Sequence, residues 1–319
     1  SLLGKRRRVA IAGCAGSGKT MLAMKKVQQF CDVGLNVLFV CFNSALADYL
    51  ETRLYDAKVA NFHGLCHQAA VQLGRNVNRE TDQKKLFEEM YPQILLEFAE
   101  ETGRVYDAIV VDEGQDFHEN YWIALESLLK SDGYLFIFYD DNQNIFHGST
   151  SFGGLIQEAP FSLNQNCRNT KFIHNTVMKF HSDPTGITSY APEGREPEWI
   201  IYDDTAGMNK ALQKVLHRLV NEENVSSQDI VILTPKGMNR SSLKPGLKLG
   251  NFTLSDHSTA KPTDIMVTTI QRFKGLERKV VIIAEIDPSI RYDLDMLLYI
   301  GCSRARTHLI VLHDVALSF

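Results

Sequence analysis

The stretch Val9-Ala10-Ile11-Ala12-Gly13-Cys14-Ala15-Gly16-Ser17-Gly18-Lys19-Thr20 decides the fold. Four apolar residues of strand character run into a glycine-rich turn, and Leu22, Ala23, Val27, Phe30 and Cys31 then recur at helical spacing up to Gly34. Residues Gly13 to Thr20 satisfy G-x-x-x-x-G-K-[ST] in the strand, turn and helix setting that the pattern requires. Glycines there let successive backbone N–H groups face one phosphate, and the helix N-terminus adds its positive end. Gly13, Cys14, Ala15, Gly16, Ser17 and Gly18 are thus expected to cradle the phosphates of ATP. Lys19 should reach the β- and γ-phosphates, and Thr20 should ligate Mg²⁺.

Outward from this stretch the strand and helix alternation continues. Val37–Phe42, Ala108–Val111 and Leu135–Tyr139 read as further strands, which predicts an α/β fold with a parallel sheet wrapped by helices. Leu86, Met90, Ile94 and Phe98 share one helix face inside a small helical insertion at about 68–104. After residue 155 the pattern restarts, with strands at Trp199–Tyr202, Ile230–Thr234, Ile265–Thr269, Val280–Ala284 and Leu309–Leu312 and helices near 207–222 and 292–301. Residues 235–262, rich in Gly, Pro, Ser, Thr and Lys, read as loop. Two lobes follow, 1–154 and 155–319.

The run Ala108-Ile109-Val110-Val111-Asp112-Glu113 is a buried strand ending in two acids. Beside a phosphate-binding turn, Asp112 is suited to hold Mg²⁺ and Glu113 to orient and deprotonate an attacking water. That pair separates hydrolysis from nucleotide binding alone.

With these residues on the page the chain resembles the UvrD/Rep-like superfamily 1 helicases, in the compact form found in fusions with nuclease-related domains. Asp112-Glu113-Gly114-Gln115-Asp116 resembles the family's D-E-x-Q-D box, and Tyr139-Asp140-Asp141-Asn142-Gln143 its third motif. Leu163-Asn164-Gln165-Asn166-Cys167-Arg168 resembles the fourth. Thr268-Thr269-Ile270-Gln271-Arg272-Phe273-Lys274-Gly275-Leu276-Glu277 resembles the fifth, and Tyr299 to Arg306 the sixth. The resemblance implies two RecA-like lobes that bind ATP and Mg²⁺ between them and move on single-stranded nucleic acid, DNA in preference, in the 3′→5′ direction. It makes Gln143 a γ-phosphate sensor and Arg168 and Arg304 arginine fingers, adds Gln115, Gly275 and Glu277 to the ATP site, and puts Glu277 on the ribose. Phe42, Asn43, Phe62, His63, Phe146, Thr269 and Lys274 would contact the nucleic acid, although Phe42 and Phe62 equally suit a core at strand ends.

Three departures stand out. No glutamine precedes the first strand; the abrupt start predicts a further domain upstream, such as an N-terminal nuclease. Cys167 occupies the position where relatives commonly carry an adenine-stacking Tyr, so poor discrimination between ATP and GTP is expected. Phe146 replaces a base-stacking Trp, and the spans for accessory subdomains are short, which argues for translocation with weak unwinding.

Composition narrows the rest. With 319 residues and 44% hydrophobic content there is material for two cores. The net charge of −4 provides no global attraction to a polyanion, so a nucleic-acid site must be a local groove. Six cysteines without a C-x-x-C pair fit a reducing cytoplasm, and no apolar run approaches the ~20 residues that span a bilayer. The competing function is a P-loop ATPase acting as a regulatory switch in a defence or signalling protein, without translocation.

Overall fold

The computed structural model describes residues 6–77, 82–140, 142, 152, 154–259 and 261–319. The chain divides into two compact units, Ser1–Asn164 and Gln165–Phe319.

The first unit is a parallel sheet of β1 (Arg8–Gly13), β2 (Val37–Cys41), β3 (Lys58–Asn61), β4 (Tyr106–Val111), β5 (Leu129–Tyr139) and β6 (Phe161–Leu163), in the order β3-β2-β4-β5-β1-β6. Every residue of β2 is buried, as expected of an inner strand covered on both faces. Because β4, β5 and β1 are neighbours, the residues that follow them emerge side by side at one sheet edge, where open α/β sheets bind ligands. Strand β6 pairs with β1 from Ile11↔Phe161 to Gly13↔Leu163, so this sheet continues past the lobe boundary expected at 154.

Helix α1 (Lys19–Asp32) buries Ala23, Val27 and Phe30 against the sheet, while Leu22, expected on that face, is 43% exposed. Between β3 and β4 come α2–α5 in part: α2 (Ser44–Glu51) precedes β3, and α3 (Phe62–Gln72), α4 (Gln83–Lys85), a π-helical turn at Leu86–Met90 and α5 (Tyr91–Thr102) follow it. The insertion expected at 68–104 therefore starts inside α3. Its Tyr91, Ile94 and Leu95 share one core with the sheet residues Val40, Ile109 and Ile137. Helix α6 (Glu119–Leu128) completes the unit with Tyr121 and Trp122 buried.

The second unit is a seven-stranded sheet of β9 (Glu198–Tyr202), β10 (Ile230–Thr234), β11 (Lys248–Leu249), β12 (Phe252–Ser255), β13 (Asp264–Thr269), β14 (Arg278–Ile286) and β15 (Ala305–Asp314), ordered β11-β12-β13-β10-β14-β15-β9. All its pairs are parallel except β11 with β12. Strands β11 and β12 lie within the segment expected to be loop. Their short apolar alternation, with Phe252 and Leu254 facing the core, is hidden in the sequence by the surrounding glycines and lysines. A separate parallel pair, β7 (Gln165–Asn166) and β8 (Thr188–Ser189), flanks α7 (Lys171–Met178). Helices α8 (Thr205–His217) and α9 (Leu294–Cys302) cover the main sheet, Met208, Leu212 and Leu216 of α8 joining its core. Both units are helix-flanked parallel sheets of RecA-like kind. Among the described residues no helix is long and apolar enough to cross a membrane.

Candidate nucleotide and nucleic-acid sites

In the first unit the phosphate-binding turn leaves β1 at Gly13 and enters α1 at Lys19. Gly16 and Gly18 take left-handed backbone angles, φ 76° and 86°, which glycine adopts without strain. Gly13 is restricted by space, because a Cβ there would lie 2.5 Å from Ser17 Oγ and 3.1 Å from Lys19 Cγ. The Lys19 ammonium donates to the carbonyls of Gly13 (2.7 Å) and Cys14 (3.0 Å) and pairs with Asp140 Oδ2 at 3.3 Å.

The acids come from the two strands beside β1. Asp112 follows β4 and is fully buried; Glu113 is 5% exposed and sits at a left-handed φ of 56°. Gln115 bridges them to the next strand: its Nε2 donates to Glu113 Oε2 at 2.5 Å, and its Oε1 accepts from the Asp140 N–H at 2.9 Å. Gln115, expected to touch ATP, is thus committed at both ends of its amide and positions Glu113. Asp140 went unassigned in the sequence, yet it ends β5 as Asp112 ends β4. A carboxylate at a second adjacent strand end was the available signal.

Buried Asp112, Glu113 and Asp140 face one buried ammonium, Lys19. Burial, reinforced by the Glu113 charge, raises the Asp112 carboxyl to about 6, against the pull of the Thr20 side chain and of Lys19. Asp112 Oδ2 and Ser17 Oγ are buried without a hydrogen-bond partner, which is costly unless a ligand completes them. An excess of buried carboxylate and an orphaned oxygen beside Thr20 fit a divalent cation. Among the described residues no group of three or more His, Cys, Asp or Glu side chains forms a metal cage. Mg²⁺ needs none, since it is commonly held by one or two carboxylates together with phosphates.

The second unit assembles its own charged cluster. Arg168 Nε lies 2.6 Å from Glu277 Oε2, and Arg306 Nε lies 3.5 Å from the other oxygen. Asn169 clips the Arg168 loop in place by donating to the carbonyls of Ser303 (3.0 Å) and Ala305 (2.5 Å), and Asn166 accepts from the Arg168 and Asn169 N–H groups. Arg304 is 2% exposed: its Nε donates to Ile300 O at the end of α9, and its Nη2 to Ser303 Oγ, both at 3.0 Å. The structure thus holds Arg304 inside the unit, whereas Arg168 stands beside Glu277. Gly275 has a left-handed φ of 83°, which lets the chain turn back from β13 toward Glu277.

The expected nucleic-acid residues separate. Phe62 is a correction: it is fully buried, stacked on Tyr121 at 4.0 Å, and belongs to the first core. The reason is local, because Asn61 caps α3 by accepting from the Gly64 N–H, which turns Phe62 inward at the first helical position. Phe42 and His63 are half-buried, their rings 5.4 Å apart; His63 also meets Tyr121 Oη at 3.2 Å and stacks on Phe87 at 4.5 Å. Asn43 spends its side-chain oxygen on capping α2 through the Ala45 N–H. Thr269, which accepts from the Arg272 N–H, and Lys274 are both buried. Gln143 and Phe146 lie outside the described residues.

A lysine-bearing glycine turn after β1, with acids at the adjoining strand ends, defines the class: a P-loop nucleotide-using α/β protein. Two family descriptions match the chain, "AAA domain" over residues 3–149 and "UvrD-like helicase C-terminal domain" over residues 264–312. Similar solved structures include arterivirus nonstructural protein 10 (helicase), at 15% identity and TM-score 0.47 over 96% of this chain and 59% of that one. Another is the same helicase in complex with DNA, at 14% and 0.47 over 97% and 61%. The PRRSV helicase follows at 12% and 0.46 over 97% and 52%. This chain spans about three-fifths of the first two and half of the third. By its family matches, one in each unit, the chain has a UvrD/Rep-like superfamily 1 helicase core, a helicase-type motor architecture.

Proposed function

We propose that the chain is an ATP-driven motor that moves along single-stranded nucleic acid, DNA in preference, with weak duplex unwinding. The observation that supports this most is the sealed charge set of the first unit, in which Lys19 leans on Asp140 and two carbonyls while Asp112 keeps an oxygen without a partner. In this reading the Lys19 ammonium exchanges Asp140 for β- and γ-phosphate oxygens, and the N–H groups of Gly16 to Thr20 receive the remaining phosphate charge. Glu113, held by Gln115, takes the proton of the attacking water. Thr20 and Asp112 would hold Mg²⁺, which supplies positive charge to the phosphates.

The first unit carries one cation for a transition state with charge spread over three oxygens, so Arg168 and Arg304 are assigned to supply more. Arg168 would leave Glu277, which then meets the ribose. Phe42, Asn43, His63, Thr269 and Lys274 are assigned to the nucleic acid, with Gln143 and Phe146 in the roles inferred from their motif. Coupling of the phosphate state to nucleic-acid grip distinguishes this motor from a switch.

The test is steady-state ATP hydrolysis with and without single-stranded DNA, single-stranded RNA and duplex DNA. Stimulation by the single strand, and its loss in Lys19→Ala, is expected. Hydrolysis indifferent to every nucleic acid would replace the motor by the switch.

A further inference from the structure

The short parallel pair β7 and β8 joins Gln165 to Thr188 and Asn166 to Ser189. Side chains along it alternate: Gln165 and Thr188 are exposed, Asn166 is buried and Ser189 half-buried. One step further along both chains are Cys167 and Tyr190, and both are exposed again. In-register neighbours on parallel strands lie about 4.8 Å apart and project from the same face, and alternate residues return to it. Cys167 and Tyr190 are therefore neighbours on the outer face of this pair, one without a ring and one with.

The Tyr190 ring is 81% exposed, and its side chain makes no hydrogen bond and packs on no other ring among the described residues. A single exposed ring is ordinary on a protein surface. Its surroundings set this one apart. Cys167 leads directly into Arg168, whose guanidinium touches Glu277, with Arg306 on the opposite carboxylate oxygen. The Asn166 and Asn169 bonds fix that loop on the backbone at Ser303 and Ala305, so the spacing of ring and guanidinium is set before any ligand arrives. A guanidinium suits phosphate, a carboxylate suits ribose hydroxyls, and a flat ring suits a base. Arg168, Glu277 and Tyr190 offer the three in succession.

The geometry points to Tyr190 as the residue on which the base of the bound nucleotide stacks, supplying the ring that position 167 lacks. This assignment rests on the nucleotide-hydrolysis reading above and adds its base contact. A ring stacks on any base, so Tyr190 contributes affinity for nucleotides as a class and little choice between adenine and guanine.

The experiment is calorimetric binding of ATP, GTP and inorganic tripolyphosphate, each with Mg²⁺, to the full chain. Tyr190→Ala is expected to weaken ATP and GTP alike by about 5- to 150-fold, equivalent to ~1–3 kcal/mol, and to leave tripolyphosphate unchanged. Tyr190→Phe keeps the affinity, and adding Cys167→Tyr to Tyr190→Ala restores it. The side chain is exposed, so the melting temperature stays put in every Tyr190 variant. ATP affinity unchanged in Tyr190→Ala, or an equal loss for tripolyphosphate, overturns the assignment. Lys19→Ala separates the two layers: if it weakens ATP binding while Tyr190→Ala does not, only the stacking role fails. If Lys19→Ala binds ATP and tripolyphosphate as the unaltered chain does, the nucleotide reading itself fails.

Discussion

The first unit seals its charges and the second leaves them half in water. Lys19 and Asp112 are 7% and 0% exposed, while the side chains of Arg168 and Glu277 are 16% and 40% exposed. The difference follows from how each cluster is assembled. Three adjacent strand ends, β1, β4 and β5, deliver Lys19, Asp112 and Asp140 to one spot, and the sheet fixes their separation. In the second unit Arg168 comes from a loop, Glu277 from the turn after β13 and Arg306 from the start of β15, so Asn169 has to clip the pieces together. A prebuilt site of buried carboxylates calls for cations; a half-exposed guanidinium resting on one carboxylate is ready to be handed to another anion.

The sharpest way to break this contrast is at the arginines. Arg168→Ala should lower kcat by roughly 10³ or more with little change in nucleotide affinity or stability. Arg304→Ala should also lower kcat, but with an added stability loss of ~1.5–3 kcal/mol, because it removes charged hydrogen bonds to Ile300 and Ser303 in the interior. Chemical denaturation beside steady-state kinetics reads both; equal stability of the two variants would erase the distinction.

A second contrast lies within the first unit. Phe62→Ala should cost ~3–5 kcal/mol of stability as a core cavity, whereas Phe42→Ala should weaken single-strand binding by ~1–3 kcal/mol with the fold largely kept. Denaturation midpoints and fluorescence titration with an oligonucleotide decide.

Next in size, Glu113→Gln should slow turnover by ~10² or more while nucleotide still binds. Near-normal turnover in that variant removes Glu113 as the base. The smallest effect concerns pH. Burial, with the neighbouring His118, lowers His63 from 6.5 to about 4. The folded state thus prefers neutral His63, and its contribution is complete above pH 6.5 and lost as pH falls toward 4. His63→Gln should flatten the decline in melting temperature over that window.

Much of the nucleotide site was legible because its chemistry is local in sequence: Gly13–Thr20 and Asp112–Glu113 each announce themselves in one short run. Asp140 was missed because its role depends on β5 lying between β4 and β1, a neighbour relation that no local pattern states. Phe62 was misread for a related reason, since a ring at a strand end faces the core or solvent according to how the next helix is capped. Strands β11 and β12 escaped notice because two to four residues give too little periodicity to stand out from the glycines and lysines around them. The register of β7 on β8, which brings Tyr190 beside Cys167 across more than twenty residues of chain, is likewise a matter of pairing that composition does not reveal.

The central claim is directed movement along a single strand, and a pre-steady-state assay tests it directly. Oligodeoxynucleotides of increasing length, labelled with a fluorophore at one end, are preloaded with the chain and mixed with ATP and a trap for free protein. The account predicts a lag before the fluorescence change that grows in proportion to length for the 5′ label, and that disappears in Glu113→Gln. A signal whose timing is independent of length, while ATP is still being hydrolysed, would contradict it.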